Sequence, residues 1–391
     1  METNNKKILL VGLYYFENLG DPLYMLTTKK LLETKYNATV DIADIYGKTK
    51  LESPSEITQT NISQSFFNKV KRIKPVRALA KMYHNLTKHR KLLQMYGKMI
   101  KGYDAVVVPG GGFISFSRSY PFHDMILALE KACKNQRICF CMNAVGICRD
   151  VDRLFHEKAW RKILQSPAMT YFACRDGKKL LEQLCEREIS CVSCTAVSTG
   201  DLFEISRDCT SETIGIGVIR GNAFSQYGYN LSENELISFY VDLVKKLKES
   251  GNEVKLFTNG LMSDYVIAKN VAECLKDDDI LLKRPETPYE LVKQISSFKA
   301  VAVARMHAGI IAYSLNIPAI MFCWGVKGVD FLKSANAMDY IISPDEMVPE
   351  QVVKKLQSAM GRGWDLDRRR VLQDSAEKSI AEMMSAICKE I

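Results

Sequence analysis

The chain alternates short apolar runs with longer segments of helical period, and this pattern limits its fold more than any other feature. Lys7-Ile-Leu-Leu-Val-Gly12, Thr39–Ala43, Asp104–Val108, Ile138–Gly146 and Met169–Cys174 read as strands. The first two are separated by a helical stretch from the Asp21 loop through Leu32, and the later ones by Met125–Lys134 and Leu154–Leu164, with Gly177–Cys185 following. A second series runs Thr213–Ile219, helix Glu233–Ser250, strand Glu253–Thr258, helix Asp264–Leu275, short strand Ile280–Lys283, helix Pro288–Ser297, strand Ala300–Ala304, helix Ala308–Leu315 and strand Ala319–Cys323. Continuous apolar runs of this length suit strands buried on both faces, and strand–helix alternation implies right-handed crossovers and parallel sheets. The expectation is an α/β chain of two parallel-sheet domains facing a central cleft. They span residues 1–205 and 206–345, with a helical segment 346–391 packing back on the N-terminal domain.

Charge adds a local feature. Lys and Arg number 54 against 45 Asp and Glu, a formal +9, but residues 64–102 hold eleven basic and no acidic residues, from Lys69 to Lys101. The remainder is near neutral. That argues against a protein that coats nucleic acid and for a local anionic contact. Residues 64–102 read as a basic helical insertion in the first domain, with Phe66, Phe67, Met82, Tyr83, Leu92, Leu93 and Tyr96 interleaved. Such a helix either lies on an anionic membrane surface or packs on the body with its charges solvated.

The apolar Ile8–Gly12 is too short for a signal-peptide core. Ala308–Val326 is uncharged over nineteen residues, but Gly309, Asn316 and Pro318 break it into a buried helix, a turn and a strand. The twelve cysteines are dispersed, several in apolar segments, and Cys191-x-x-Cys194 has no second pair. Buried free thiols in a cytoplasmic protein are expected, with no metal and no cofactor.

In open parallel sheets ligands bind beyond the carboxyl ends of the strands. There the chain places Asn18-Leu-Gly-Asp21, Gly110-Gly111-Gly112, Arg175-Asp176, Arg305-Met-His307 and Lys327. Asn18, Gly20 and Asp21 form a helix cap or an acceptor-side loop, and the triple glycine a tight turn or a phosphate cradle. Arg175-Asp176 is a surface ion pair or an anion site, and Lys327 a loop lysine or a ligand contact. No G-x-G-x-x-G fingerprint is present. Arg305 and His307 sit between an apolar strand and an uncharged helix, where an unpaired charge is costly. An anionic ligand shared by the two accounts for both, with His307 titrating near neutrality.

The ordered set Gly12…Asn18-Leu-Gly-Asp21, Gly110–Gly112, Arg175-Asp176, Arg305-Met-His307…Pro318…Lys327…Phe331 resembles the polysaccharide pyruvyl transferases over roughly residues 7 to 335. Arg305, His307, Ala312, Pro318 and Lys327 fit the late block of that family. The chain departs from it at Pro22, where an acidic residue is usual, and at Cys323-Trp-Gly-Val before Lys327. The two Rossmann-like domains are then a GT-B-like pair. The resemblance implies transfer of a pyruvyl group from phosphoenolpyruvate to two hydroxyls of a sugar in a cell-surface polysaccharide or its lipid-linked precursor. It implies Arg175 and Arg305 as anion clamps, His307 as phosphate ligand or general acid, and Lys327 and Gly110–Gly112 as donor contacts. Asp21 would be a base or acceptor group. Localisation is then cytoplasmic, at the inner face of the membrane if residues 64–102 hold lipid. Two alternatives are a glycosyltransferase using a nucleotide-sugar donor and a membrane-surface scaffold.

Overall fold

The computed structural model describes residues 5–50, 74–117, 122–148, 154–225, 229 and 231–390. Strands β1 (Lys7–Gly12), β2 (Thr39–Asp44), β3 (Ala105–Val108), β5 (Cys139–Val145), β7 (Met169–Cys174) and β8 (Ser190–Cys191) form one sheet in the order β2-β1-β3-β5-β7-β8. Strands β9 (Thr213–Gly217), β10 (Glu253–Phe257), β11 (Ala300–Val303), β12 (Ala319–Phe322) and β13 (Ile341–Ile342) form a second, in the order β10-β9-β11-β12-β13. Every pairing is parallel, as is that of the short β4 (Ile114–Ser115) with β6 (Ile147–Cys148). The molecule is thus two parallel-sheet α/β domains, the architecture expected from the alternation.

The local reasons are ordinary ones. Helix Glu233–Glu249 starts at a capping box, in which the Ser232 hydroxyl accepts from Glu235 N–H and the Glu235 carboxylate from Ser232 N–H. Helix Pro288–Ser296 starts with Thr287 as cap and proline behind it. The turn inside the long uncharged run is made by Asn316, in the left-handed region at φ 57°.

Two elements differ from the sequence reading. Ile280–Lys283 is not a strand: a 3-10 turn over Asp278–Ile280 leaves one bridge, Leu281 to Leu256. Pro285, two residues after Lys283, has no N–H to extend a ladder. A helix over Val326–Ser334, hidden by Gly325 and Gly328, follows β12 and carries Lys327 in its first turn.

The final helix, Leu366–Glu390, lies in the helical segment expected over 346–391 and touches both halves. Near its start, Trp364 Nε1 donates to Ile317 O at 2.6 Å and its ring packs on Tyr313 and Tyr340. Further along, Ser379 Oγ accepts from Asn143 Nδ2 at 3.1 Å, and Glu382 accepts from Tyr171 Oη at 3.2 Å. The same helix is therefore anchored to the second sheet's side at one end and to β5 and β7 at the other. One apolar core runs from beneath β1 through Ala196 and Val197 into the second sheet, which fixes the cleft between the sheets.

Of the basic insertion, residues 64–73 lie outside the described part, as do the side chains of 74–86. The rest belongs to helix Lys74–Met99. There Tyr96 is fully buried and donates to Ile45 O at 2.7 Å, while Leu92, Leu93 and Met95 pack on the first domain's core. These apolar side chains are spent on the body. No helix among the described residues is long and apolar enough to cross a membrane.

Candidate functional site

A cavity of about 450 Å3 opens at the carboxyl ends of the strands, between the two sheets. The first sheet contributes the β1 loop with Asn18 and Asp21, the β3 loop with Gly111 and Gly112, and Arg175 from the end of β7. The second contributes Asn259, Arg305, His307 and Lys327. Of the candidates read from sequence, Gly20 and Gly110 do not line the cavity; Gly110, at φ 136°, lets the chain turn over the Tyr24 ring, 3.1 Å from where a Cβ would stand.

The β1 loop is held by residues the sequence reading did not single out. Buried Asp44, at the end of β2, accepts N–H bonds from Tyr14 and Tyr15 at 3.0 Å and from Tyr46 at 2.8 Å. The loop also docks across the cleft, where Leu19 N–H donates to Asn259 O at 2.9 Å. Gly20, the first residue of the helix Gly20–Tyr36 that follows, lies directly against His307: a Cβ there would sit 2.4 Å from the His307 Cβ. Gly20→Ala is therefore expected to push His307 out of place and cost about 1–3 kcal/mol of stability. Thermal unfolding and turnover check this, and an unchanged melting temperature would show that the contact is relaxed without cost.

Asp21 follows. Its Oδ2 accepts from Asn18 Nδ2 at 3.0 Å, and its Oδ1 lies 3.9 Å from His307 Nδ1. Desolvation pushes the Asp21 carboxyl up to about 6, against the lowering influence of Lys327, the Asn18 bond, Arg305 and Arg175. Burial, with Arg175 and Lys327 adding repulsion, pushes His307 down to about 3. The expectation that His307 titrates near neutrality is thereby corrected: the imidazole is neutral at pH 7, and Asp21 is the group poised there.

The two shifts act oppositely on stability. Asp21 goes from an ordinary 3.8 to about 6, so its contribution is complete below pH 3.8 and is lost as pH rises through 6. His307 goes from 6.5 to about 3, so its contribution is present above pH 6.5 and is lost as pH falls toward 3. Between pH 4 and 6 the slopes cancel in the wild type. In this window Asp21→Asn should gain stability with rising pH by about 1.4 kcal/mol per unit, and His307→Gln should lose it at a similar rate. Urea unfolding at three pH values reads both slopes, and wild-type slopes in both variants would refute the assignment.

Arg175 is not a surface pair with Asp176. Both are largely buried, with Nε to Asp176 Oδ2 at 3.5 Å, while Asp176 Oδ1 accepts Ile147 N–H at 2.7 Å. A Cβ on Gly146 would stand 2.5 Å from Arg175 Nη2, so the glycine makes room for the guanidinium. Burial disfavours the Arg175 charge, but Asp176 and its other neighbours more than offset this and hold its pKa above the ordinary value.

Arg305, expected to be paired by an anionic ligand, already has a carboxylate partner in the protein. It precedes helix Met306–Ser314 in extended conformation, and its fork closes on Asp264: Nε to Oδ2 and Nη2 to Oδ1, each at 2.9 Å. Asp264 is fully buried and also accepts Arg220 N–H at 3.2 Å. The partner that the buried Arg305 charge requires is thus a carboxylate of the protein. The sequence carried a hint: Asp264, Ile267, Ala268 and Val271 fall on one face of helix Met262–Leu275, and all are buried.

Four residues lining the cavity present buried polar atoms with no hydrogen-bond partner among the described residues: Asn18 Oδ1, Arg175 Nη1, Asn259 Nδ2 and His307 Nε2. Buried polar groups are normally paired, so this cluster marks where a ligand's acceptors and donors fit. Arg305 is closed on Asp264 and Arg175 Nε lies beside Asp176, so the donors facing the open part are Arg175 Nη1 and the Lys327 ammonium, which suit an anion. No group of three or more His, Cys, Asp or Glu side chains suited to a metal occurs among the described residues.

A family model described as polysaccharide pyruvyl transferase matches residues 18–324. No curated protein matches the chain. Among solved structures, UDP-GlcNAc 2-epimerase from Methanocaldococcus jannaschii is similar with a TM-score of 0.58 at 10% identity, covering 97% of this chain and 99% of that one. UDP-GlcNAc 2-epimerase from Neisseria meningitidis, bound to UDP-GlcNAc, is similar with a TM-score of 0.53 at 11% identity, covering 98% and 100%. At such identities the likeness is one of fold, the GT-B-like pairing of two parallel-sheet domains across a cleft.

Proposed function

The chain belongs to the polysaccharide pyruvyl transferase family, and from that premise we propose that it moves a pyruvyl group from phosphoenolpyruvate to two hydroxyls of one sugar, releasing phosphate. The sugar belongs to a cell-surface polysaccharide or its lipid-linked precursor. The observation that carries this reading is the buried, partnerless Arg175 Nη1 facing a cavity shared with His307 and Lys327. A donor with a carboxylate and a phosphate needs such cationic donors at two points, and a guanidinium fork matches either group.

The chemistry balances as follows. The methylene carbon of phosphoenolpyruvate gains a proton, which leaves positive charge at its C2. Two sugar hydroxyls add to C2, forming two C–O bonds and releasing two protons. The C–O bond to phosphate breaks and phosphate leaves with the bonding electrons. One released proton balances that given to the methylene, and the other goes with phosphate or to solvent. Asp21, poised near pH 6, is the proton carrier in this scheme. Neutral His307 offers one N–H and one lone pair, and serves to hold phosphate or receive a hydroxyl proton. Lys327 and Arg175 stabilise the departing phosphate.

The test is incubation with phosphoenolpyruvate and a panel of simple and lipid-linked glycosides, with mass detection of the ketal and assay of phosphate. Ketal and phosphate in equal amounts support the reading. Absence of both, with nucleotide released from a nucleotide-sugar, would replace it by glycosyl transfer.

A further inference from the structure

A second cavity, of about 210 Å3, adjoins the first. It is bounded by residues 191–197, by helix Val326–Ser334 and by the start of the final helix. Arg175, Met306 and Lys327 line both spaces and form the wall between them.

The chemistry changes across that wall. The main cavity joins Arg175, Arg305 and Lys327 to the single lining carboxylate of Asp21. Among residues that line only the second, the carboxylates of Asp176 and Asp330 outnumber the one cation, Arg368. Arg368 is itself engaged, its Nε donating to Ser334 O. The hydroxyl of Ser375 and the apolar Leu372 and Ile310 complete that part of the lining. Counting the shared Arg175 and Lys327, three cations face two carboxylates there, against three and one in the main cavity, and Asp176 lies beside Arg175, so the second space is the closer to charge balance. Hydroxyl groups donate to carboxylates and accept from guanidinium and serine, while the C–H faces of a sugar ring suit leucine and isoleucine. The volume lies below the roughly 300–1,000 Å3 of drug-sized pockets, so it suits a single ring and not a longer glycan.

We propose that this second cavity is the acceptor subsite, holding one uncharged, hydroxyl-rich sugar ring whose hydroxyl pair reaches the donor past Arg175, Met306 and Lys327. The proposal rests on the pyruvyl-transfer reading for the donor and assigns a separate place to the acceptor. Two substrates that must join at one carbon need adjoining sites of different polarity, and these two spaces share a wall that includes Arg175.

Cys191 reports on occupancy directly. It lines only the second cavity and is exposed, so an occupant of that cavity would shield its thiol from alkylation. The experiment measures iodoacetamide labelling of Cys191 by peptide mass, with exposed Cys209, Cys274 and Cys388 as internal controls. The probes are methyl β-D-galactopyranoside and methyl β-D-mannopyranoside at high millimolar concentration, and phosphoenolpyruvate separately. The expected result is labelling slowed about threefold or more by a glycoside and unchanged by phosphoenolpyruvate. Protection by phosphoenolpyruvate alone, or by neither, overturns the proposal.

A second variant, Val371→Trp, fills the mouth from a half-exposed position. It should raise the acceptor KM about tenfold with phosphoenolpyruvate affinity and melting temperature unchanged. An unchanged acceptor KM counts against the subsite. If a glycoside protects Cys191 but phosphoenolpyruvate is neither bound nor consumed, the sugar subsite stands and the pyruvyl-transfer reading falls. If phosphoenolpyruvate is consumed and no glycoside protects, the subsite falls alone.

Discussion

Arg175→Lys should lower kcat/KM for phosphoenolpyruvate about a thousandfold, or about 4 kcal/mol of transition-state stabilisation, and leave the fold intact. The lysine keeps a positive charge for buried Asp176, whose other oxygen remains bound to Ile147 N–H at 2.7 Å. What is lost is the planar fork and the Nη1, which has no hydrogen-bond partner among the described residues. A point charge on a flexible stem does not reproduce that geometry. Gly146 leaves space for a guanidinium, and an ammonium in the same place would be set back from the cavity. Steady-state kinetics and thermal unfolding measured together decide the matter. Turnover within about threefold of wild type, with phosphoenolpyruvate affinity unchanged, would remove Arg175 from the donor site.

The second large effect concerns Asp264 and Arg305. Asp264→Ala leaves the Arg305 guanidinium largely buried without its carboxylate, which should cost about 3–5 kcal/mol. Joining it to Arg305→Met removes both charges and should recover most of that stability, because a buried pair replaced by apolar groups is often near neutral. Turnover should not recover with it. Arg305 is among the cations that lower the Asp21 carboxyl, so its removal lets Asp21 rise above its present value of about 6. The acid limb of the pH–rate profile should then move to higher pH, with kcat reduced about tenfold or more. Full turnover and an unmoved profile in the stable double variant would confine Arg305 to holding the second domain together.

How far the site was legible follows from where each residue stands in the chain. Asp21, Arg175, Arg305, His307 and Lys327 were found because each follows a strand, and parallel strands deliver their carboxyl ends to one edge. Asp44 and Asp264 were missed for opposite reasons. Asp44 closes a short strand and looks like any polar residue at its end, yet it holds two backbone N–H groups of the neighbouring β1 loop and one of its own turn. Asp264 looked like a first-turn acid, although its spacing from Ile267, Ala268 and Val271 placed it on the buried face. Lys327 was read on a loop because two glycines flank it, and it stands instead on a helix. Of the two readings of the basic stretch, lipid surface or packing on the body, the described part follows the second: Leu92, Leu93 and Tyr96 pack on the first domain's core.

The alternation of apolar runs and helical segments by itself determined the two parallel sheets, because a run of Val, Ile and Leu ending in glycine has few other ways to bury both faces. It also brought Asp21, Arg175, Arg305, His307 and Lys327 to one edge, since that follows from strand direction. The tertiary structure alone decided their chemical states. Burial and the charges gathered from distant segments make His307 neutral and bring Asp21 near neutrality, the reverse of their ordinary order. A pKa depends on solvent exclusion and on charges within a few ångströms, and neither quantity is written in the local sequence. The same holds for Arg305, whose partner lies 41 residues away in the chain and 2.9 Å away in space.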